Sequence, residues 1–380
     1  MKKAKFKDVA TVVGGSTPKT EVADYWGGDN FWVAPAELDG SKFISSTVKK
    51  ITDLAVEKTN LTLLPIGTVL LSSRAPIGKV AITTVPMYCN QGFKNIICGP
   101  ELFNGYVYYF LKHNVSYLQS LGTGATFKEI SKKVVENVAI AYPSFDEQQR
   151  IVDELDLLTG IIDKKNAQLR DLDALAQSIF YEMFGDPIAN EKGWEVKKIG
   201  DVCDTTSGGT PSKSHPEYYA NGTIPWLRSG EVNQRFITET ELCITEQGLN
   251  NSSAKWFPED TVAIAMYGAT VGQVGIIKRR MTTNQAVCGI MPCKEFIPLY
   301  LYHFLLSKKD DYVKQASGGA QPNISQGIVR DTLICCPPLD LQHAFAAKIE
   351  AIEQQKVLIK QSQQETQTLL ASRMDHYFSD

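Results

Sequence analysis

At 380 residues the chain is long for one domain and comfortable for two with helical attachments, and 43% hydrophobic content supplies packed cores. No run of about 18 apolar residues exists to cross a membrane, and the basic start Met1-Lys2-Lys3-Ala4-Lys5-Phe6 has no apolar stretch behind it, which argues against a secretory signal. A net charge of −3 excludes a strongly basic protein.

Residues 1–143 open with a short apolar run and a Gly-rich turn, Val12-Val13-Gly14-Gly15-Ser16-Thr17-Pro18. Strands follow at Gly67–Leu71 and Lys79–Ile82, then a helix over Tyr106–Leu118. Residues 144–186 form a helix introduced by Pro143-Ser144-Phe145-Asp146, with Asp146 as its expected N-cap. Its apolar positions recur at spacings of four and three: Ile151, Leu155, Leu158, Ile162, Leu169, Leu172, Ala176, Ile179 and Met183, with one polar lapse at Lys165.

The remainder says nearly the same thing again, shifted by 193–194 residues. In residues 187–336 the turn becomes Thr206-Ser207-Gly208-Gly209-Thr210-Pro211, the strands Asp260–Ala265 and Gln273–Ile277, and the helix Leu299–Val313. Trp32 and Glu37 fall on Trp226 and Glu231, Asn90-Gln91 on Asn284-Gln285, Ile130-Ser131 on Ile324-Ser325, and Gln148 on Gln342. Residues 337–380 form the second helix, with Asp340 as its expected N-cap. Its seam, Phe345, Ile349, Ile352, Lys356, Ile359, Gln363, Thr366, Leu370, Arg373 and Tyr377, is more broken and needs the first helix as partner. Each helix of about 38 residues is nearly 57 Å long, too long to pack only on its own globule of 140 residues. The period is far longer than the 20–50 residues of solenoids. The fold class expected is therefore α+β: two pseudo-symmetric mixed α/β domains joined by two long helices that form an antiparallel coiled coil.

Charge is distributed unevenly over these segments: +5 in 1–143, −6 in 144–186, zero in 187–336 and −2 in 337–380. A basic face can thus exist on a nearly neutral chain. A pseudo-two-fold pair of binding domains suits a partner with two-fold symmetry, and duplex DNA is the obvious one. The eight cysteines contain no CxxC pair, and the five histidines show no metal spacing, so buried free thiols in a reducing cytoplasm are expected. No P-loop, GxGxxG or amino-methyltransferase loop is present, so no cofactor site is expected in this chain.

These features resemble the specificity subunit of type I restriction-modification systems. The resemblance covers the whole chain and rests on several twin segments. They are GGSTP/GGTP, the Asn-Gln pairs, Gly124-Ala125-Thr126-Phe127-Lys128-Glu129-Ile130-Ser131 with Gly318-Gly319-Ala320-Gln321-Pro322-Asn323-Ile324-Ser325, and the proline-initiated helices. The second helix departs from the pattern, with Leu341 and His343 in place of Glu147 and Gln149. The resemblance implies two target-recognition domains, each reading one half of a split DNA target. It also implies helices that act as a ruler and hold two modification subunits, which methylate adenine, with restriction subunits joining for ATP-dependent cleavage. On that reading the chain is not an enzyme. S-adenosylmethionine, ATP and Mg belong to the partner subunits, and the half-sites lie about one helical turn (~34 Å) apart.

Base reading needs bidentate donors and acceptors presented on loops. The candidates are Thr17, Arg74, Lys79, Asn90, Gln91, Lys94, Thr126 and Lys128 in the first domain. In the second they are Thr210, Arg228, Tyr267, Gln273, Asn284, Gln285, Gln321 and Asn323. Asn90 and Asn284, the same in both halves, either touch DNA or form turns, and Thr17 and Thr210 share that choice. Trp32 and Trp226 read as core, and Ser131 and Ser325 as caps for the next helix. The run Lys278-Arg279-Arg280 either grips phosphate or is a solvated hairpin tip. A duplicated protein- or carbohydrate-binding scaffold and a self-contained methyltransferase or nuclease are the competing readings. Salt-dependent duplex affinity separates the first of these from a DNA reader, and adenosylmethionine binding by the isolated chain would revive the second.

Overall fold

The computed structural model describes residues 1–124, 128–316 and 322–379. Two compact units emerge, Met1–Asn166 with Gln361–Asp380, and Ala167–Lys360. The division falls inside both long helices.

In the first unit, short runs of β-branched residues build a five-stranded sheet. Its order is Ala10–Gly14, Lys94–Cys98, Val69–Leu71, Val80–Thr83, Phe43–Ile44, antiparallel except for the last pair. Beside it lies a smaller sheet, Lys50–Ile51, Trp26–Val33, Tyr88–Cys89. Lys2–Lys5 pairs with Ala139–Tyr142, so the start of the chain is tied to the strand that feeds the first long helix. The second unit repeats this order: Thr205–Ser207, Val287–Ile290, Val262–Ala265, Val274–Ile277, Phe236–Ile237. Its smaller sheet has four strands, and Val196–Lys198 pairs with Leu333–Cys335. The expected single helices are each two: Asn104–His113 with Val115–Ser120, and Pro298–Ser307 with Lys309–Gln315. The chain breaks helical geometry at Asn114 and Lys308, where ψ is 21° and 0°.

The long helices run Phe145–Phe184 and Leu339–Phe378. Asp146 and Asp340 are not their N-caps. Both lie in the first turn, where a carboxylate favours the positive end of the dipole, while the Ser144 hydroxyl accepts from Glu147 N. Each root is held by a buried glutamine. Gln148 Oε1 accepts from Phe103 N at 2.9 Å, and its Nε2 donates to Glu101 O at 2.8 Å and Pro143 O at 3.1 Å. Gln342 makes the same three bonds to Ile297 N, Glu295 O and Pro337 O, at 2.9, 3.0 and 2.9 Å.

Within each unit the two helices run antiparallel. In the first, Ile151, Leu155 and Leu158 are buried on the seam, with Ile162 and Leu370 half-buried. Arg373 and Tyr377 both reach Glu154, Lys165 Nζ donates to Ser362 O, Ser362 Oγ and Thr366 Oγ1 at 2.8–2.9 Å, and Gln363 pairs with Asn166 at 2.7 Å. In the second unit Phe345, Ile349 and Ile352 are buried, and Leu169, Leu172, Ile179 and Ile359 half-buried. There Lys356 bonds Asp173 at 2.7 Å and Glu353 at 3.2 Å. Every break in the second seam is thus filled by a polar partner on the first helix. The helix ends also bury a second stripe in the domain cores: Val152, Met374 and Phe378 in one unit, Phe180 and Phe184 in the other. The heptad pattern did not reveal that stripe, because it serves the globule and not the partner helix.

Both units bolt the outer strand of the sheet to a helix by charge. Lys42 Nζ donates to the Asp156 carboxylate at 2.5 and 2.6 Å, and the Tyr109 hydroxyl donates to the same group at 2.5 Å. In the second unit Arg235 pairs with Glu353, and His303 stands where Tyr109 stands in the first. His303 is 1% exposed, stacked on Phe180 and edge-on to Phe345, and its ring nitrogens have no partner among the described residues. Burial, reinforced by the Arg235 and Lys356 charges, pushes its pKa down to about 3. The unfolded chain therefore binds a proton below about pH 6.5 that the folded chain refuses until about pH 3, so stability falls as pH drops through that window. Between about pH 7 and pH 5 the second unit should lose about 2 kcal/mol through this group. Urea titrations at the two pH values should show that loss shrinking by about the same amount in His303→Phe.

Candidate nucleic-acid interface

In the first unit the Gly-rich turn is pressed against the strand end that carries Asn90. A Cβ on Gly15 would fall 2.0 Å from the Asn90 carbonyl oxygen, so only glycine allows the approach. Ser16 N donates to Cys89 O at 2.9 Å, and the buried Trp32 donates its indole N–H to Ser16 O at 3.0 Å. Asn90 Oδ1 accepts from Gly92 N at 2.7 Å and its Nδ2 donates to Thr17 Oγ1 at 2.9 Å, while the Thr17 hydroxyl donates to Gln91 Oε1. Asn90 is therefore a turn former that clamps two loops together. Beneath it, burial pushes the Cys89 thiol up to about 12, so this sulfur stays neutral.

Two further segments join this clamp. Ser73 N donates to Gly92 O at 2.7 Å and Ile130 N to Ser73 O at 3.0 Å, and Arg74 and Glu129 face each other in an isolated bridge. Lys94 Nζ donates to Ser73 Oγ, Gln91 O and Glu129 Oε1 at 3.2–3.3 Å. Arg74 is half-exposed, and its guanidinium has no hydrogen-bond partner among the described residues. Thr17, Arg74, Asn90, Gln91 and Lys94 are thus brought together. Glu129 completes the group; it is not among the residues the sequence singles out, whereas its equivalent Asn323 is.

The second unit repeats the frame with different side chains. A Cβ on Gly208 would lie 2.1 Å from Thr283 O, and the Trp226 indole donates to Gly209 O at 3.0 Å. Asn284 Oδ1 accepts from Ala286 N at 3.2 Å, and the Thr210 hydroxyl donates to Gln285 Oε1. Met266 N donates to Ala286 O and Ile324 N to Met266 O, at 2.8 and 2.9 Å. Tyr267 and Asn323 then form the isolated bridge that Arg74 and Glu129 form in the first unit. Tyr267 is 41% exposed, and Gln285 and Asn323 are exposed.

The other candidates stand apart. Lys79 Nζ is directed inward to Leu38 O and Pro35 O, at 2.9 and 3.4 Å. Gln273, its equivalent, has a buried Oε1 with no partner among the described residues. Arg228 is paired with Glu231 and Glu241. Lys128 is exposed, and Thr126 and Gln321 lie outside the described residues. Ser131 and Ser325 cap short helices, accepting from Val134 N and Ile328 N. In the run after Val274–Ile277, Lys278 pairs with Asp260 and Arg280 lies over the Trp256 ring, leaving Arg279 exposed. Among the described residues, no three His, Cys, Asp or Glu are grouped to hold a metal, and no helix is long and apolar enough to cross a membrane.

Residues 1–171 and 191–368 each match the type I restriction modification DNA specificity domain. The chain belongs to that specificity family. It is 31% identical over 384 residues to the type I restriction enzyme MjaIX specificity subunit of Methanocaldococcus jannaschii, covering 94% of this chain and 88% of that one. It is 29% identical over 184 residues to the EcoR124I/EcoR124II specificity subunit of Escherichia coli, covering 47% and 44%. Its fold is similar to that of the type I restriction-modification S subunit of M. genitalium, with a TM-score of 0.58 at 14% identity over 100% of this chain and 96% of that one. It is also similar to a chain from a type I R-M system solved for its complex assembly and conformational transition, with a TM-score of 0.62 at 18% identity over 99% and 97%.

In this specificity subunit the residues shared by the two recognition domains are mostly frame. Glu37 accepts from Ala34 N and Val48 N, as Glu231 does from Arg228 N and Glu241 N, holding the next loop in each. The frame makes a simple demand on its glycines. Gly15→Ala and Gly208→Ala drive a methyl into a backbone carbonyl and should each destabilise their unit by about 1–3 kcal/mol. Gly14→Ala, whose Cβ meets nothing within 4 Å, should stay within about 0.5 kcal/mol in the same denaturation series.

Proposed function

We propose that this subunit reads a bipartite duplex target, one half-site per recognition domain, through the loop cluster of each. The observation that carries this is one frame displaying unlike chemistry at equivalent positions: Arg74 against Tyr267, and Glu129 against Asn323. Arginine suits guanine O6 and N7, a carboxylate suits cytosine N4, and asparagine suits adenine, so the two clusters would select different bases. Lys128, exposed beside the first cluster, would touch phosphate, which positions without specifying.

The long helices would hold two modification subunits, and through them the restriction subunits. Leu157 and Leu369 in one unit, and Leu175, Val357 and Leu358 in the other, are 47–66% exposed on helices whose opposite faces are buried, which suits a further protein partner. On this reading S-adenosylmethionine, ATP and Mg are bound by those partners, the chain performs no chemistry of its own, and the complex works in the cytoplasm.

Methylome sequencing of a host carrying the modification subunit, with and without this chain, tests the reading. A split adenine-methylated motif should appear only when the chain is present. An active modification subunit with no chain-dependent motif would overturn the proposal. In the same assay Arg74→Ala should weaken binding by about 1–3 kcal/mol and relax one position of one half-site only.

A further inference from the structure

Cys203 and Cys293 stand in the second unit, where the strands that carry its recognition loops begin and end. Thr205–Ser207, which leads into Thr210, pairs antiparallel with Val287–Ile290, which leads away from Gln285. Met291 N donates to Asp204 O at 2.8 Å, extending that ladder to the residues beside both cysteines. The two Sγ atoms lie 2.6 Å apart. Cys203 is 5% exposed and Cys293 is half-buried, so a small oxidant can reach the pair from the Cys293 side. The hydrogen bond from the Cys203 thiol, helped by the backbone N–H groups of Glu295 and Phe296 and opposed by burial, holds the Cys293 pKa down to about 7. The hydrogen bond to Cys293, with burial, drives Cys203 the other way. Cys293 is thus the more acidic sulfur of the pair and Cys203 its protonated neighbour. The first domain lacks this arrangement: Ala10 and Gly99 occupy the equivalent positions, and Cys98 faces Ala10 in the ladder.

We propose that Cys203 and Cys293 form an oxidisable dithiol that closes into an intradomain disulfide on exposure to a peroxide. The Cys293 thiolate attacks one peroxide oxygen, the S–O bond forms as the O–O bond breaks, and hydroxide leaves. Cys203 then attacks the sulfenic sulfur; the S–S bond forms, the S–O bond breaks, and the Cys203 proton departs with the oxygen as water. Two thiols lose two electrons in total and one peroxide is reduced to two waters. A reducing cytoplasm keeps the pair open and returns it to the open state by thiol exchange. The closed form ties the entry strand to the exit strand of the second recognition domain and leaves the first domain untouched. The reading side chains Tyr267, Gln285 and Asn323 take no part in the bond.

The test uses the full-length chain. It is treated with hydrogen peroxide, its free thiols are alkylated, and unreduced peptides are mapped by mass spectrometry. A Cys203–Cys293 cross-linked peptide should appear and should vanish with dithiothreitol, while Cys98 and Cys288 remain alkylated as in untreated protein. Without peroxide, iodoacetamide at neutral pH should label Cys293 about tenfold faster than Cys98. Cys203→Ser should stop the cross-link and leave Cys293 oxidised to the sulfinate. Full alkylation of both thiols after peroxide, or a wild-type Cys293 sulfinate beside a free Cys203, would overturn the proposal. So would stoichiometric zinc binding that both Cys203→Ser and Cys293→Ser abolish, because the pair would then be a metal site.

Discussion

A buried primary amide at the root of each long helix is the interaction on which the architecture rests. Gln148 and Gln342 each satisfy one N–H and two carbonyls where a strand, a loop and a helix start converge. Those backbone groups have no partner in any ladder, and each left unpaired in a dry interior would cost about 1–3 kcal/mol. The amide, with two donors and an acceptor, meets the whole demand from one side chain. It fixes where each helix leaves its own domain.

The recognition domains are built the same way, as a conserved-in-kind frame carrying replaceable contacts. Threonine, Asn-Gln and tryptophan recur in both halves because each contributes a hydrogen bond to the loop clamp, and glutamate because it holds the next loop. Among the described residues the side chains of Arg74, Tyr267 and Asn323 make no such bond, and Glu129 is held by Lys94, so the bridge carries Arg and Glu in one domain and Tyr and Asn in the other. This division explains how one fold can serve two different half-sites without remodelling its core.

The helix pair shows the same economy with polarity. Lys356, Gln363, Thr366, Arg373 and Tyr377 interrupt the second seam, yet each finds a partner on the first helix. Such layers add less stability than leucines would, but a lysine opposite an aspartate tolerates only one register. A seam whose apolar layers are interrupted by such matched polar pairs selects one pairing of two similar helices.

The duplication, the two long helices, the core tryptophans and the serine caps were legible in the chain, because periodicity and self-alignment report local geometry and burial directly. The twin Asn-Gln pairs were found too, but not their role, since an asparagine that forms a turn and one that reads adenine carry the same side chain. What the sequence could not decide was direction. Lys79 turns inward to two carbonyls while Arg74, five residues earlier, stays unpaired, and that difference arises from how the strand ends twist against neighbouring loops. Glu129 became visible only when the bridge to Arg74 placed it in the cluster, and Cys203 met Cys293 only when antiparallel pairing brought residues ninety apart into register. Local propensity and hydrophobic period are properties of neighbours along the chain, whereas a site is a property of neighbours in space.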